Sequence, residues 1–147
     1  MGVALACALA GCIDPSDRRP GLRLGGEVVS DLPDDWTWSN EFREIAVEVS
    51  TPYLLPHSVT VWCAASEKGL FLGARNPDDK NWPGWVTDDP DVRLKIGERV
   101  YEVRLAVIDD PAGLREVQRA YTAKYDLPAR APGEGPPMRY WRVVPRS

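Results

Sequence analysis

Residues able to bind metals are scarce in this sequence. It contains one histidine, His57, and three cysteines, of which Cys7 and Cys12 lie within the first dozen residues. The histidine and cysteine spacing of a zinc site is therefore absent. Cys63 is the lone cysteine of the body, and its place in an apolar alternating run predicts a buried structural thiol. The acidic turn at 88–91 lacks the glycine and the distal glutamate of a calcium loop, so no metal site is expected.

The sequence also lacks an excess of positive charge and a long hydrophobic run. Its 18 basic and 22 acidic residues give a net charge of −4, which argues against binding to nucleic acid. No apolar stretch approaches the roughly 20 residues that a membrane-spanning helix requires. At 147 residues the chain can form one domain with a real core, and its six tryptophans and fourteen prolines indicate a compact, loop-rich β protein.

The first twelve residues, MGVALACALAGC, form an uncharged apolar run that ends in small residues, as the end of a secretory signal does. The last four, LAGC, resemble the lipobox of bacterial lipoproteins, in which the cysteine thiol receives the lipid. The resemblance implies a signal segment over 1–11, lipidation of Cys12 and a location in the bacterial cell envelope, where the lipid holds the chain to the membrane. Ile13, in place of aspartate, favours the outer membrane in a Gram-negative cell. An ordinary apolar N-terminus is the alternative.

The rest of the chain divides into a tether and one β-rich domain. Residues 12–26 are polar and rich in proline and glycine, as a flexible tether is, and residues 27–147 form the predicted domain. Alternation of apolar and polar residues predicts strands at 44–51, 58–65, 70–74, 91–109 (a hairpin around Gly97) and 138–145. Asp110 as N-cap and Pro111 as first residue predict a helix over 111–125, and a short helical turn is expected near 82–87. Five or six antiparallel strands with one late helix predict a small barrel, closed or half-open.

One long stretch carries a family resemblance. KNWPGWVTDDPDVRLKIGERVYEVRLAVIDD, followed by AYTAKYD and RYWRV, resembles the split-barrel flavin-binding superfamily, which includes pyridoxamine-phosphate-oxidase-like and deazaflavin-dependent nitroreductase-like proteins. The shared pattern has a basic residue after a hairpin, a tryptophan-containing turn, Asp-Pro-x-Val at the start of a strand and Asp-Pro before a helix. The resemblance covers roughly residues 41–146 and implies a mainly β fold, a Greek-key antiparallel split barrel with one or two helices. The residues that match the pattern are Arg75, Lys80, Trp82, Asp89, Pro90, Val92, Asp110 and Pro111.

The same resemblance implies an FMN site. Arg75 and Lys80 would bind the flavin phosphate, which needs basic side chains. Trp82 and Trp85 would form a wall for the flat isoalloxazine ring. Arg142 would add a contact from the last strand. The implied activity is that of an oxidoreductase acting on a small organic substrate, in a homodimer whose two subunits complete the cofactor cleft.

Two departures from the family pattern leave other interpretations open. Trp85 stands where the family usually has asparagine, and TPYLLPHS (51–58) replaces the Lys-Thr-Gly loop of the deazaflavin-dependent reductases. FMN is therefore favoured over deazaflavin, and a cofactor-free lipoprotein that uses the barrel to bind a small-molecule ligand or a partner is one alternative. A haem-binding barrel with His57 as axial ligand is another, against a plain turn role for this histidine. Core or dimer-interface packing is the alternative role of Trp82 and Trp85, which share a face on a helical turn.

Overall fold

The computed structural model describes residues 21–128, 131 and 133–147. Cys12, the predicted signal segment and the first part of the predicted tether lie outside the described residues. Seven strands and two α-helices are β1 Glu27–Val29, β2 Glu44–Val49, β3 His57–Ser66, β4 Gly69–Arg75, α1 Trp82–Asp88, β5 Asp91–Ile96, β6 Arg99–Ile108, α2 Pro111–Tyr125 and β7 Met138–Val144. The described residues also form the short 3₁₀ helices Thr37–Glu41 and Pro77–Asp79.

Six of the strands close into an antiparallel barrel. Their order is β2-β3-β4-β7-β6-β5, and β5 pairs back onto β2. β1 is a short parallel addition to the start of β6. Along β5, the buried Val92, Leu94 and Ile96 alternate with partly exposed Arg93 and Lys95, because successive side chains of a strand point to opposite faces. The predicted mainly β fold, a split antiparallel barrel with one or two helices, is confirmed.

The split of the barrel lies between β3 and β4. The first half of β3 pairs with β2, whereas its second half, Cys63–Ser66, pairs with β4. The second half of β4 pairs with β7. The two strands of this hairpin therefore diverge beyond the pair of Cys63 and Leu72, whereas an unbroken register would set Thr60 opposite Arg75.

Aromatic side chains close both ends of the barrel. At the end covered by the 3₁₀ helix Thr37–Glu41, which we call the 3₁₀ end, the Trp36 ring lies 5.2 Å from Tyr101 in an edge contact. At the other end, which we call the α1 end, α1 lies beside the ends of β2 and β3, and Trp82 packs against Trp141 with ring centroids 5.0 Å apart. Both ends contribute to a single core that runs the length of the barrel interior.

The second helix packs on the outer face of the barrel. Its bounds agree with the prediction, and the predicted N-cap is present, since an Asp110 carboxylate oxygen accepts a hydrogen bond from the Gly113 N–H at 2.7 Å. Val117, Ala120 and Tyr121 form its buried face, against Phe71 on β4 and neighbouring strand residues. Within the described residues, neither this helix nor α1 is long and apolar enough to span a membrane.

The last part of the predicted tether, residues 21–26, packs on the barrel instead. Leu24 is 3% exposed, and its N–H donates to the Glu48 carboxylate at 2.7 Å. Gly21 forms an antiparallel β-bridge with Ser58. A polar composition rich in proline and glycine is a local property, so it could not reveal that a carboxylate on β2 binds this segment. The ordered domain therefore includes residues 21–26, and the boundary predicted after residue 26 is too late.

Candidate functional site

The open end of the split brings two predicted phosphate ligands together. β4 ends at Arg75, and Asn76 turns the chain in a left-handed conformation (φ 48°) into the 3₁₀ helix Pro77–Asp79. This turn returns Lys80 to the end of β4, where its ammonium donates a hydrogen bond to the Arg75 carbonyl. Both residues are exposed, and the Arg75 guanidinium has no ion-pair partner in the part of the chain that the structure describes.

Nearby carboxylates only partly offset this positive charge. Asp78 and Asp79 belong to the same turn, and Asp78 lies 3.6 Å from the guanidinium of Arg139 on β7. The Asp78 side chain is 92% exposed, so solvent screens this ion pair and it contributes little to stability. Three cationic and two anionic side chains leave a slightly positive surface that a phosphate dianion would complement.

An aromatic group lies on and beside α1, the helix that follows this turn. Trp85 is half-buried, and its ring makes edge contacts with His57 at 5.3 Å and with Tyr53 at 5.7 Å between centroids. Burial lowers the pKa of His57, so its imidazole is neutral near pH 7. α1 begins two residues after Lys80, so Trp85 follows Lys80 by about one helical turn, and its side chain is not fully buried.

Trp82 does not belong to this exposed group. It is 6% exposed and lies inside the barrel, with Trp141 as its ring partner. Its position at the start of α1 directs it into the open barrel end, whereas Trp85 lies at the side of the helix near the β2–β3 loop. The structure therefore assigns the two tryptophans different surroundings, and Trp82 leaves almost no ring surface for a flavin.

Arg142 is also separate from the basic pair. On β7 it lies opposite Phe71, four residues along the strand from Met138, the partner of Arg75. Four residues of a strand span about 13 Å. The Arg142 guanidinium lies over the Phe71 ring at 5.6 Å, and its Nε is buried without a hydrogen-bond partner in the described structure. Arg142 thus packs on the outer face of the barrel and does not point toward the Arg75–Lys80 turn.

Close contacts of Tyr121 and Gly73 near the split were not predicted from the sequence. The Tyr121 hydroxyl of α2 donates to the Trp62 carbonyl at 2.8 Å, where β3 leaves β4. On β4, a Cβ on Gly73 would lie 2.9 Å from a ring carbon of Tyr140, its partner on β7, and 3.2 Å from the Tyr121 hydroxyl. An isolated glycine inside an alternating strand was the only local indication of such a close approach.

Two surface grooves lie away from the basic pair. One, of about 510 Å³, separates α2 from the end of β3, and the other, of about 330 Å³, lies behind the β2–β3 loop. In the first groove the Lys124 ammonium donates hydrogen bonds to the carbonyls of Phe42 at 2.6 Å and Cys63 at 2.7 Å.

Cys63 is fully buried, as predicted, and burial raises the pKa of its thiol. The described residues contain no group of three or more histidine, cysteine or acidic side chains suited to a metal ion.

Solved structures share this fold at low sequence identity. A candidate 5-nitroimidazole antibiotic resistance protein from Bacteroides thetaiotaomicron superimposes with a TM-score of 0.60 at 10% identity, over 85% of this chain and 86% of that one. A candidate pyridoxamine 5'-phosphate oxidase from Listeria innocua gives 0.55 at 10% identity, over 74% and 88%. An FAD-binding protein from Mesorhizobium loti gives 0.50 at 14% identity, over 76% and 87%. No protein-family model and no curated protein matches the sequence. The chain therefore has the split-barrel fold of these proteins.

Proposed function

We propose that this protein binds FMN at the open end of the split, with the phosphate on Arg75 and Lys80 and the isoalloxazine ring against Trp85. The observation that carries the proposal is that the Lys80 ammonium binds the backbone carbonyl of Arg75 at the end of β4 while both side chains are exposed, the Arg75 guanidinium without an ion-pair partner in the described residues. The solved flavin-binding protein of the same fold supports it.

The residues present fit such a cofactor in chemical type. A guanidinium can hold two phosphate oxygens at once, and an ammonium adds a point charge that accepts any direction of approach. The exposed part of the Trp85 ring offers an apolar surface for a flat ring system. His57, kept neutral by partial burial, adds a hydrogen-bond donor beside that surface. When bound, the flavin supplies the electron transfer, and the chain binds and orients it.

The proposed activity is oxidoreduction of a small organic substrate. The proposed assembly is a homodimer, because the basic pair and Trp85 lie on an open surface of one chain and a second copy would enclose the ring. Light scattering tests this assembly: the mass of two chains is expected, and a larger share of dimer is expected when FMN is present.

Titration of FMN with the full-length chain, followed by flavin fluorescence, tests the proposal. Saturable quenching is expected, and Arg75→Ala and Lys80→Ala should each weaken binding by about tenfold or more, because a charge-assisted hydrogen bond contributes about 1.5–3 kcal/mol. Arg99→Ala is the matched control. Arg99 is exposed in the hairpin at the 3₁₀ end, so this variant removes the same charge far from the site. Equal affinity in all three variants, or no binding by the wild type, contradicts the proposal.

Haem is the second candidate ligand, favoured by one observation. The lowered pKa of His57 keeps its imidazole neutral, as an axial ligand must be. A Soret band on addition of haem that is lost in His57→Ala supports this candidate. A protein that binds neither FMN, deazaflavin nor haem would be the cofactor-free barrel.

The same proposal includes attachment to the bacterial envelope through a lipid on Cys12, in the outer membrane if the cell is Gram-negative. Its support is the LAGC sequence alone. The mature N-terminus is expected to carry acyl chains by mass spectrometry, and Cys12→Ser is expected to move the protein out of the membrane fraction.

A further inference from the structure

The loop between β2 and β3 exposes a compact apolar group. Leu54 is 94% exposed, the highest value among the large hydrophobic side chains of the described residues. Its neighbours Tyr53 and Leu55 are 56% and 57% exposed. Scattered exposed apolar residues are normal on a protein surface, but three consecutive ones on one protruding loop indicate a contact surface.

The loop holds these side chains outward in a fixed conformation. Leu54 has φ 65°, in the left-handed region, which is unfavourable for a residue with a Cβ. The Leu54 N–H donates to the Thr51 carbonyl at 3.3 Å, and the Thr51 hydroxyl donates to the Leu55 carbonyl. Pro52 and Pro56 flank the turn and restrict its backbone further. The hydrogen bonds and prolines of this turn therefore keep the Leu54 side chain exposed.

The path of the N-terminal chain indicates what the loop contacts. Gly21, the first described residue, is bridged to Ser58, three residues after Leu55. Cys12 precedes Gly21 by nine residues in the sequence, and nine extended residues span at most about 32 Å. A lipid on Cys12 would therefore keep the bilayer surface within reach of this loop.

The size of the group favours a bilayer over a second copy of the chain. Three side chains of this size expose on the order of 400 Å², whereas each partner of a stable protein interface contributes about 800 Å². A bilayer needs no complementary surface, because apolar side chains enter the boundary between headgroups and acyl chains individually. The net charge of −4 gives no overall attraction to anionic lipids, so apolar insertion has to provide the contact.

We infer that Tyr53, Leu54 and Leu55 form a membrane-contact loop that orients the α1 end of the barrel toward the bilayer. The inference rests on the proposed lipid attachment at Cys12, which supplies the high local concentration that a three-residue contact requires. Because Tyr53 touches Trp85, the proposed cofactor surface lies beside the membrane in this orientation. The contact depends weakly on salt and on anionic lipid content.

Hydrogen–deuterium exchange of the lipidated chain in phosphatidylcholine vesicles, compared with the Cys12→Ser chain without vesicles, tests the loop directly. Amides of residues 50–58 are expected to exchange at least about threefold more slowly with vesicles, while the hairpin turn at Gly97 is unchanged. The double variant Leu54→Ser/Leu55→Ser should lose this protection. The matched control Val107→Ser/Leu114→Ser alters two exposed apolar residues elsewhere and should keep it.

The other outcomes overturn the inference. Co-flotation of the chain with vesicles without protection of residues 50–58 would mean that the N-terminal segment alone binds lipid. Protection that grows with protein concentration and needs no vesicles would assign the loop to a second copy. An unmodified Cys12 in cells would remove the anchor on which the inference rests and would overturn both, whereas a lipidated chain with an unprotected loop would refute the loop alone, so the two failures are distinguishable.

Discussion

Aromatic side chains close both ends of the barrel, but the two ends differ in what their second, half-buried tryptophan contacts. At the 3₁₀ end, Trp36 is buried against Tyr101, and Trp38 packs on both rings. At the α1 end, Trp82 has the same buried role, while Trp85 remains half exposed beside the basic turn. Aromatic content alone therefore does not identify a site. The distinction lies in the neighbours, because Trp38 contacts two buried rings of the core whereas Trp85 contacts Tyr53 and His57 outside it.

The largest expected effect concerns the tryptophans that close the barrel. Trp36→Ala and Trp82→Ala should each lower the free energy of unfolding by about 3–5 kcal/mol, because truncating a buried tryptophan leaves a cavity that the barrel cannot fill. Urea unfolding followed by circular dichroism measures this. Trp62→Ala is a control, since Trp62 is 41% exposed on the outer face. A loss below about 1 kcal/mol for Trp82→Ala would mean that it is not a core residue.

A medium effect is expected between the two ends, where β4 closely approaches side chains of β7 and α2. Gly73→Ala should destabilise the protein by about 1–3 kcal/mol, because the new methyl group would press on the Tyr140 ring and the Tyr121 hydroxyl. Gly84→Ala on α1 is the matched control. A Cβ there meets nothing within 4 Å, and alanine favours a helix, so this variant should be neutral or slightly stabilising in the same urea measurement. Equal effects at the two glycines would contradict the close approach.

Trp85→Ala sharpens the comparison between the ends. A half-buried ring with two edge contacts should contribute only about 1–2 kcal/mol to stability, well below Trp82. The same variant is expected to weaken FMN binding by about tenfold, since one aromatic contact with a ligand ring contributes about 0.5–1.5 kcal/mol beyond the buried area. Urea unfolding and fluorescence titration of one sample measure both. A stability loss equal to that of Trp82→Ala, with unchanged FMN affinity, would make Trp85 a packing residue.

The smallest effect is the pH dependence from His57. Burial lowers its pKa in the folded state below the ordinary value of about 6.5, so the unfolded chain binds the proton more readily. The contribution of neutral His57 to the free energy of unfolding is therefore fully present above pH 6.5. It is lost as the pH drops through the folded-state pKa. His57→Gln should flatten this part of the urea-midpoint profile between pH 7 and 5. A profile that the substitution leaves unchanged would show that His57 does not titrate differently on folding.

Local patterns predicted most of the elements but not how they combine. The alternating residues of β5 and β6 and the Asp110-Pro111 start of α2 are local, and the structure contains them almost as predicted. The packing of Leu24 depends on Glu48, which is distant in sequence, so composition pointed wrongly to a tether. For the candidate site, the turn from Arg75 to Lys80 followed from adjacency in the chain. The separation of Arg142 depends on the register of β7 against β4, which no local pattern encodes.

The comparison of FMN with riboflavin tests the central claim most directly, because the two flavins differ only in the phosphate. Titration of the full-length chain with each is expected to show binding of FMN at least about tenfold tighter, a difference of about 1.4 kcal/mol. In Arg75→Ala the preference is expected to shrink toward equality, because the phosphate loses its guanidinium partner. A preference for FMN that persists undiminished in Arg75→Ala and Lys80→Ala, or equal binding of the two flavins by the wild type, would contradict a phosphate site at the open end of the split.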